Sequence, residues 1–261
     1  MIKRAPSTLS DTIIELRNVT LDYGSLNVVQ DVNLRVKRGE TKVILGPSGV
    51  GKSTILKAIL GLLKPSSGQI FVHDWEISTL SETQMVPARL NMAMVFQNGA
   101  LFDSMTVFDN VSYRLREFSM GGASEIRDRV FEALDFVGLK GAIKLYPAQL
   151  SGGMRKRVAI ARALASNPDI FLFDEPTVGL DPVNYYNVEK LIARLKKKVH
   201  RSIIIVTHHV TSAMRLADSI VMLYNQQFIF EGTPEDLRNI EDPRVKTFLH
   251  PSSQSPIQEN L

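Results

Sequence analysis

The run Gly46-Pro47-Ser48-Gly49-Val50-Gly51-Lys52-Ser53 constrains this chain more than any other stretch. It fits the pattern G-x-x-x-x-G-K-[ST] at every position, a pattern that belongs between a strand and a helix. Both flanks comply. Thr41 to Leu45 (TKVIL) are apolar and β-branched, which suits a buried strand, and Ser53 to Leu63 (STILKAILGLL) carry apolar side chains at helical spacing. Glycines let the backbone wrap an anion with several N–H groups turned inward, and the helix start adds the positive end of its dipole. Lys52 offers a mobile positive charge to outer phosphates, the Ser53 hydroxyl is suited to Mg²⁺, and Thr54 follows in the same turn. A structural glycine turn is the plain alternative. The satisfied strand–turn–helix context favours binding of a nucleoside triphosphate.

The chain around this motif is long enough, at 261 residues with 44% hydrophobic content, to bury a substantial core in one domain over residues 1–251, with subdomains inside it. No apolar run reaches the length that spans a bilayer, and the opening MIKRAPSTLSDT lacks the apolar core of a secretory signal. With no cysteine, disulfides and cysteine metal sites are excluded. The net charge of +4 suits weak association with anionic lipid or a protein partner and does not match a nucleic-acid-binding profile. Lys196-Lys197-Lys198 reads as a solvated helix end.

Strand and helix signals alternate along most of the sequence. Ile13–Tyr23 and Val28–Val36 predict a small antiparallel sheet, with Tyr23 in the linker between its strands. A turn at Lys64–Gly68 leads to a strand at Gln69–Val72, and Ser81 with Gln84 forms a capping box opening a helix towards Arg89. Asn91–Phe96 predicts a strand whose methionines fill core space. Residues 98 to 165 then interrupt the alternation as a helical insertion, broken at Ser119-Met120-Gly121-Gly122. Strands follow at Asp169–Phe173, Ser202–Val206, Ser219–Tyr224 and Gln227–Glu231, with a helix at Val183–Lys198 and another opening at Thr233-Pro234. Residues 252–261 lack core-forming side chains and read as a flexible tail.

A second set of residues has the same chemistry in view. The strand DIFLF delivers Asp174-Glu175, an acid pair of the Walker B kind, in which the first carboxylate serves Mg²⁺ and the second can polarise a water. Leu150-Ser151-Gly152-Gly153 opens a basic helix and makes a second anion site at a helix N-terminus. One nucleotide is not expected to touch both anion sites within one chain. A head-to-tail pair of chains removes the difficulty, because the phosphate loop of one can face Ser151, Gly152 and Gly153 of the other.

With these motifs in this order, the sequence resembles the ATP-binding cassette (ABC) ATPase family over about residues 13–231. The resemblance implies an α/β fold of the P-loop NTPase kind: a RecA-like core, a small antiparallel β-subdomain and an inserted helical subdomain. It assigns Tyr23 to the aromatic that stacks on adenine and Gln97 to the glutamine that contacts Mg²⁺ or the attacking water. Asp181, in Gly179-Leu180-Asp181, falls to the D-loop, and His208 to the switch histidine. By the same resemblance two ATP molecules lie in a two-fold sandwich. Lys52, Ser53, Gln97 and Asp174 surround each phosphate–Mg²⁺ group, Glu175 acts as general base, and Ser151 and Gly153 reach across from the second copy.

Three further stretches resemble the phospholipid-transport (Mla-type) branch: Gly99-Ala100-Leu101-Phe102, Leu150–Arg157 with Met154 where most cassettes carry glutamine, and Asp242-Pro243-Arg244-Val245 with Phe248-Leu249. That branch implies a motor at the cytoplasmic face of the inner membrane of a Gram-negative envelope. It also implies a polytopic permease, a lipid-binding Mce-domain protein and a small regulatory subunit as partners, and no nucleic acid. The alternatives are the ATPase of another transporter, for amino acids or drugs, and a soluble non-transport ABC protein. His209 stands where an acidic residue is commoner, Asn98 where the branch often has serine, and Val178 replaces a small residue.

Overall fold

The computed structural model describes residues 11–199 and 201–250; the tail read as flexible lies outside the described residues. Strands β1 (Thr12–Tyr23) and β2 (Leu26–Lys37) form a long hairpin, followed by β3 (Thr41–Leu45) and helix α1 (Lys52–Ile59). Next come β4 (Ser67–Val72), the two-residue β5 (Trp75–Glu76), α2 (Glu82–Leu90) and β6 (Met92–Val95). Three helices follow without a strand between them: α3 (Val107–Glu117), α4 (Ala123–Phe136) and α5 (Gly152–Ala165). The chain then alternates through β7 (Ile170–Asp174), α6 (Pro182–Val199), β8 (Ser202–Thr207), α7 (Val210–Leu216) and β9 (Ser219–Tyr224). It finishes with β10 (Gln227–Gly232), α8 (Pro234–Arg238) and α9 (Pro243–Leu249).

Two sheets result. The antiparallel one runs in the order β2-β1-β4-β5, and the larger runs β10-β9-β3-β8-β7-β6. In the larger sheet β9, β3, β8, β7 and β6 are parallel, and β10 closes one edge antiparallel. Parallel strands covered on both faces read as unbroken apolar runs, and the period of two sorts their side chains between two cores. Val43 and Leu45 of β3, with Phe171 and Phe173 of β7, face a core shared with α3, α4, α5 and α6. Ile44 and Leu172 face the opposite way, into a core shared with Ile55, Leu56 and Ile59 of α1 and with Leu16 and Ile70 of the antiparallel sheet. The fold is the α/β cassette architecture that the sequence predicts.

The parallel arrangement decides where chemistry can occur. Leu45 pairs with Thr207 and Asp174 with Val206, so the carboxyl ends of β3, β8 and β7 lie side by side. The segments leaving those ends are the phosphate loop, His208 and Glu175. In open α/β sheets this edge is where ligands bind.

Several local expectations need correction. Helix α1 stops at Ile59 rather than continuing to Leu63, because Gly61 adopts φ +66° and turns the chain. Tyr23 is the last residue of β1 itself, not part of a linker. Met92 is core, as read, but Met94 is only partly buried and lines a surface groove. Lys196 is more than a solvated helix end: its ammonium donates to Leu216 O at 3.2 Å and pairs with Asp218 at 2.7 Å. Strand β5 and helices α7 and α9 carry no sequence signal of their own, since each is too short for its period to repeat enough times to stand out.

Candidate active site

Between the phosphate loop and the tip of the β1–β2 hairpin lies an open cleft of about 470 Å³. Its walls include Tyr23, Leu26, Val28, Ser48, Gly49, Gly51, Lys52, Ser53, Thr54, Gln97, Glu175, Val178 and His208. Gly51 is required here on two counts: its φ is +109°, and a Cβ would sit 2.7 Å from Val28 Cγ1. Val50 packs behind the loop against the core of the antiparallel sheet. Gly46 and Pro47 act through their carbonyls, which accept from the Lys52 ammonium at 2.9 and 2.8 Å.

Lys52 is the charged centre of the cleft. Its side chain is 5% exposed and lies 3.4 Å from Glu175 Oε1. Burial pushes its pKa below the usual lysine value, while the neighbouring carboxylates of Glu175 and Asp174 oppose that shift. An incoming phosphate would offer this ammonium the anionic partner that its own loop supplies only as carbonyls. Behind it the Ser53 hydroxyl donates to Asp174 Oδ1 at 2.6 Å. Among the described residues no group of three His, Cys, Asp or Glu could hold a metal. A hydroxyl and one carboxylate fit Mg²⁺, which characteristically keeps waters and takes its remaining ligands from substrate phosphates.

Glu175 is held from several sides. Its N–H donates to Val206 O at 3.0 Å, its backbone sits at φ +45°, and Oε1 lies 2.9 Å from His208 Nδ1. A non-glycine residue in the left-handed region costs energy and persists only where its surroundings enforce it. The second oxygen, Oε2, is buried without a hydrogen-bond partner. A buried carboxylate with one free lone-pair face can accept a proton from a water. His208 therefore meets Glu175 directly, whereas His209 stacks behind His208 at 4.2 Å between ring centroids and meets Tyr185 edge-on.

Tyr23 keeps 45% of its surface exposed at the mouth of the cleft, where a flat base could stack. Lys57 steadies it, donating to the phenol oxygen at 3.3 Å. Gln97 is also exposed, at the end of β6. The remaining sequence-predicted residues lie elsewhere. Ser151, Gly152, Gly153 and Asp181 do not line the cleft; they gather with one another instead. Ser151 caps α5 by accepting from Met154 N. Asp181 accepts from the backbone N–H groups of Val183 and Asn184 and from Asn184 Nδ2 at 2.6 Å. A Cβ on Gly153 would lie 2.3 Å from Asn184 Oδ1, so the starts of α5 and α6 approach at a point where any larger residue would have to displace the Asn184 side chain.

Sequence reasoning missed Lys156. Its side chain is 6% exposed, and its ammonium donates to the carbonyl of Gln97 and, at 3.4 Å, to that of Glu175. Burial lowers its pKa against the pull of Asp174 and Glu175. The signal was present: Lys156 falls on the same stripe of α5 as buried Gly153, Ile160 and Ala163, where a lysine must find internal partners.

Comparison with known proteins adds to this geometry. Residues 29–178 match the family model described as ABC transporter. The chain is 40% identical over 250 residues to the intermembrane phospholipid transport system ATP-binding protein MlaF of Haemophilus influenzae, covering 96% of this chain and 95% of that one. It is 41% identical to the probable ribonucleotide transport ATP-binding protein mkl of Mycobacterium leprae, covering 94% of this chain and 70% of that one. Among solved structures, the dimeric post-hydrolysis state of the ATP-binding cassette MJ0796 bound to ADP and Pi superposes with a TM-score of 0.78. That match has 33% identity and covers 85% of this chain and 98% of the other.

Proposed function

The chain belongs to the ABC transporter family and is an ATPase subunit of that kind, and on this premise we propose that the cargo its hydrolysis drives is phospholipid, moved between the inner and outer membranes of a Gram-negative envelope. The observation that carries the proposal is the end-to-end match to a phospholipid-transport relative, 96% of one chain against 95% of the other. The mkl relative is equally similar where it aligns but extends well beyond this chain, with 70% of it covered. Leu101, Met154, Phe248 and Leu249, all within the stretches that resemble the lipid branch, pack against the main core rather than lying loose.

In this reading ATP with Mg²⁺ supplies the γ-phosphate that is transferred to water. The chain's own groups do the rest. Lys52 would exchange its carbonyl partners for phosphate oxygens, and Ser53, Asp174 and Gln97 are the residues that would hold the metal. Glu175 Oε2 receives the proton of the attacking water, while His208 holds Oε1 and faces the outer phosphate. Catalysis is then positioning and electrostatics, completed when a second copy brings Ser151, Gly152 and Gly153 over the cleft. The dimeric MJ0796 cassette supports such a pair.

A permease is the partner that a second surface fits, one that begins at Phe96 next to Gln97 of the cleft. There an apolar groove of about 590 Å³ carries exposed Leu62, Val86, Phe96, Phe102, Tyr113 and Phe118. Residues 98–165 are proposed as a helical subdomain inserted in a single domain, and they carry part of that groove. Among the described residues no helix is long and apolar enough to cross a membrane, in keeping with a peripheral position at the cytoplasmic face. An Mce-domain protein and a small regulatory subunit complete the proposed assembly.

A mild-detergent pull-down of tagged protein from its native membrane, with copurifying proteins and lipids identified together, tests the cargo. A permease, an Mce-domain protein and phospholipid are expected. A different permease without lipid keeps the motor and discards its cargo.

A further inference from the structure

Helix α5 touches three functional places at once. Its N-terminus carries Ser151 to Gly153, proposed above to meet the nucleotide of the second copy. One and a half turns on, the Lys156 ammonium donates to the carbonyls of Gln97 and Glu175, residues of this copy's own site. Two turns further, Arg162 donates to Gly99 O at 2.8 Å and Ala100 O at 2.7 Å, where the loop after Gln97 borders the apolar groove. A helix is stiff over fourteen residues, so these contacts shift together.

We propose that Lys156 is a positioning residue that couples the two ATP sites of the dimer: α5, seated by the partner's nucleotide, sets the backbone of Gln97 and Glu175 in its own site through this one buried ammonium. Glu175 needs such a hold. Its left-handed backbone is held by a hydrogen bond from its N–H to Val206 O, and its carbonyl accepts from Val178 N–H at 3.3 Å and from the Lys156 ammonium at 3.4 Å. The partner in this coupling is a second copy of the chain, and the inference rests on the catalytic reading given above.

The coupling is read from the ATP dependence of hydrolysis by the full-length chain in its native membrane complex. The wild type is expected to show a Hill coefficient above 1, and Lys156→Met to bring it to about 1 with kcat reduced about tenfold and KM within about threefold. Losing the ammonium leaves two carbonyls without that donor but also removes a buried charge, so Tm should fall by no more than a few degrees, which separates lost positioning from lost folding. Lys156→Gln keeps donors without the charge and should recover most of the cooperativity. Equal loss in the Met and Gln variants would mean that the charge, not the carbonyl clamp, matters, and overturns the proposal. So does a Hill coefficient unchanged in Lys156→Met, or one of about 1 in the wild type.

Should Lys156→Met fail to fold, hydrogen exchange on the unaltered chain decides. On adding ATP, residues 97–100 and 174–177 must gain protection together with the start of α5; independent protection overturns the coupling. Glu175→Gln run in parallel guards the premise, since normal turnover there would refute the assignment of the base without touching the Lys156 contacts.

Discussion

The cleft around Lys52 and the groove under Phe102 are both open to solvent, yet they are built by opposite means. The cleft gathers charged and hydroxyl groups among apolar walls, and is made largely of one contiguous loop and the carboxyl ends of neighbouring parallel strands. The groove is apolar and assembled from the turn after α1, from α2, β6, the loop after Gln97, and α3. Each of its three arginines has a partner: Arg89 is turned onto Leu60 O and Glu82. Arg114 is turned onto Met92 O and Arg89 O at 2.6 and 2.5 Å, and Arg162 onto Gly99 and Ala100. A polar site of fixed geometry fails abruptly when one group is lost, whereas a surface held by apolar area weakens by degrees.

That contrast can be broken or sharpened by substitution. The largest effect is expected at the base: Glu175→Gln should lower turnover by about 10²- to 10⁴-fold while nucleotide remains bound, checked by phosphate release alongside equilibrium ATP binding. Lys52→Ala comes next. Removing a charged donor should weaken nucleotide affinity by about 10- to 100-fold, and unchanged affinity in a direct titration would count against its phosphate role.

On the other side of the comparison, Phe102→Asp puts a charge beside Tyr113, whose ring centroid lies 4.7 Å from that of Phe102. Recovery of the membrane partner in a pull-down should fall by about tenfold or more, with ATP hydrolysis by the isolated chain within about twofold of wild type. An equal loss of both would erase the distinction between the two surfaces. The smallest effect is local. Thr106 caps α3, a wall of the groove, by accepting from Asp109 N at 3.1 Å. Thr106→Ala should cost about 1 kcal/mol of stability, visible as a fall in Tm of about 2–4 °C, and leave nucleotide affinity alone.

The same division explains what the sequence could disclose. Residues 46–53 form a site through their own backbone, so the pattern of letters carries the geometry. Strand DIFLF was legible because a strand buried on both faces has no polar positions, and Asp174 and Glu175 stand out at its end. The capping box at Ser81 and the threonine cap at Thr233 were legible for the same local reason. Lys156 was not, because its meaning lies in two carbonyls, of residues 97 and 175, that only tertiary packing brings to it. Nor was the groove, whose aromatic residues look like core until the fold leaves Phe102 41% and Phe118 45% exposed. The meeting of Gly153 with Asn184 is likewise a fact of packing: Gly153 read as an anion-site glycine before it read as a spacer.

The strand order also sets a timetable for synthesis. Strand β3, which carries the phosphate loop, has as its sheet neighbours only β8 and β9, and these begin at Ser202 and Ser219. Every contact on either edge of β3 therefore waits for more than 150 further residues to leave the ribosome. At about 5–20 residues per second, that is on the order of ten seconds or more in which Lys52 exists without its site. A nascent chain cut before β9 would carry the complete nucleotide motif and still lack the sheet that gives it shape. For this protein the segment most easily recognised is among the last to gain its sheet neighbours.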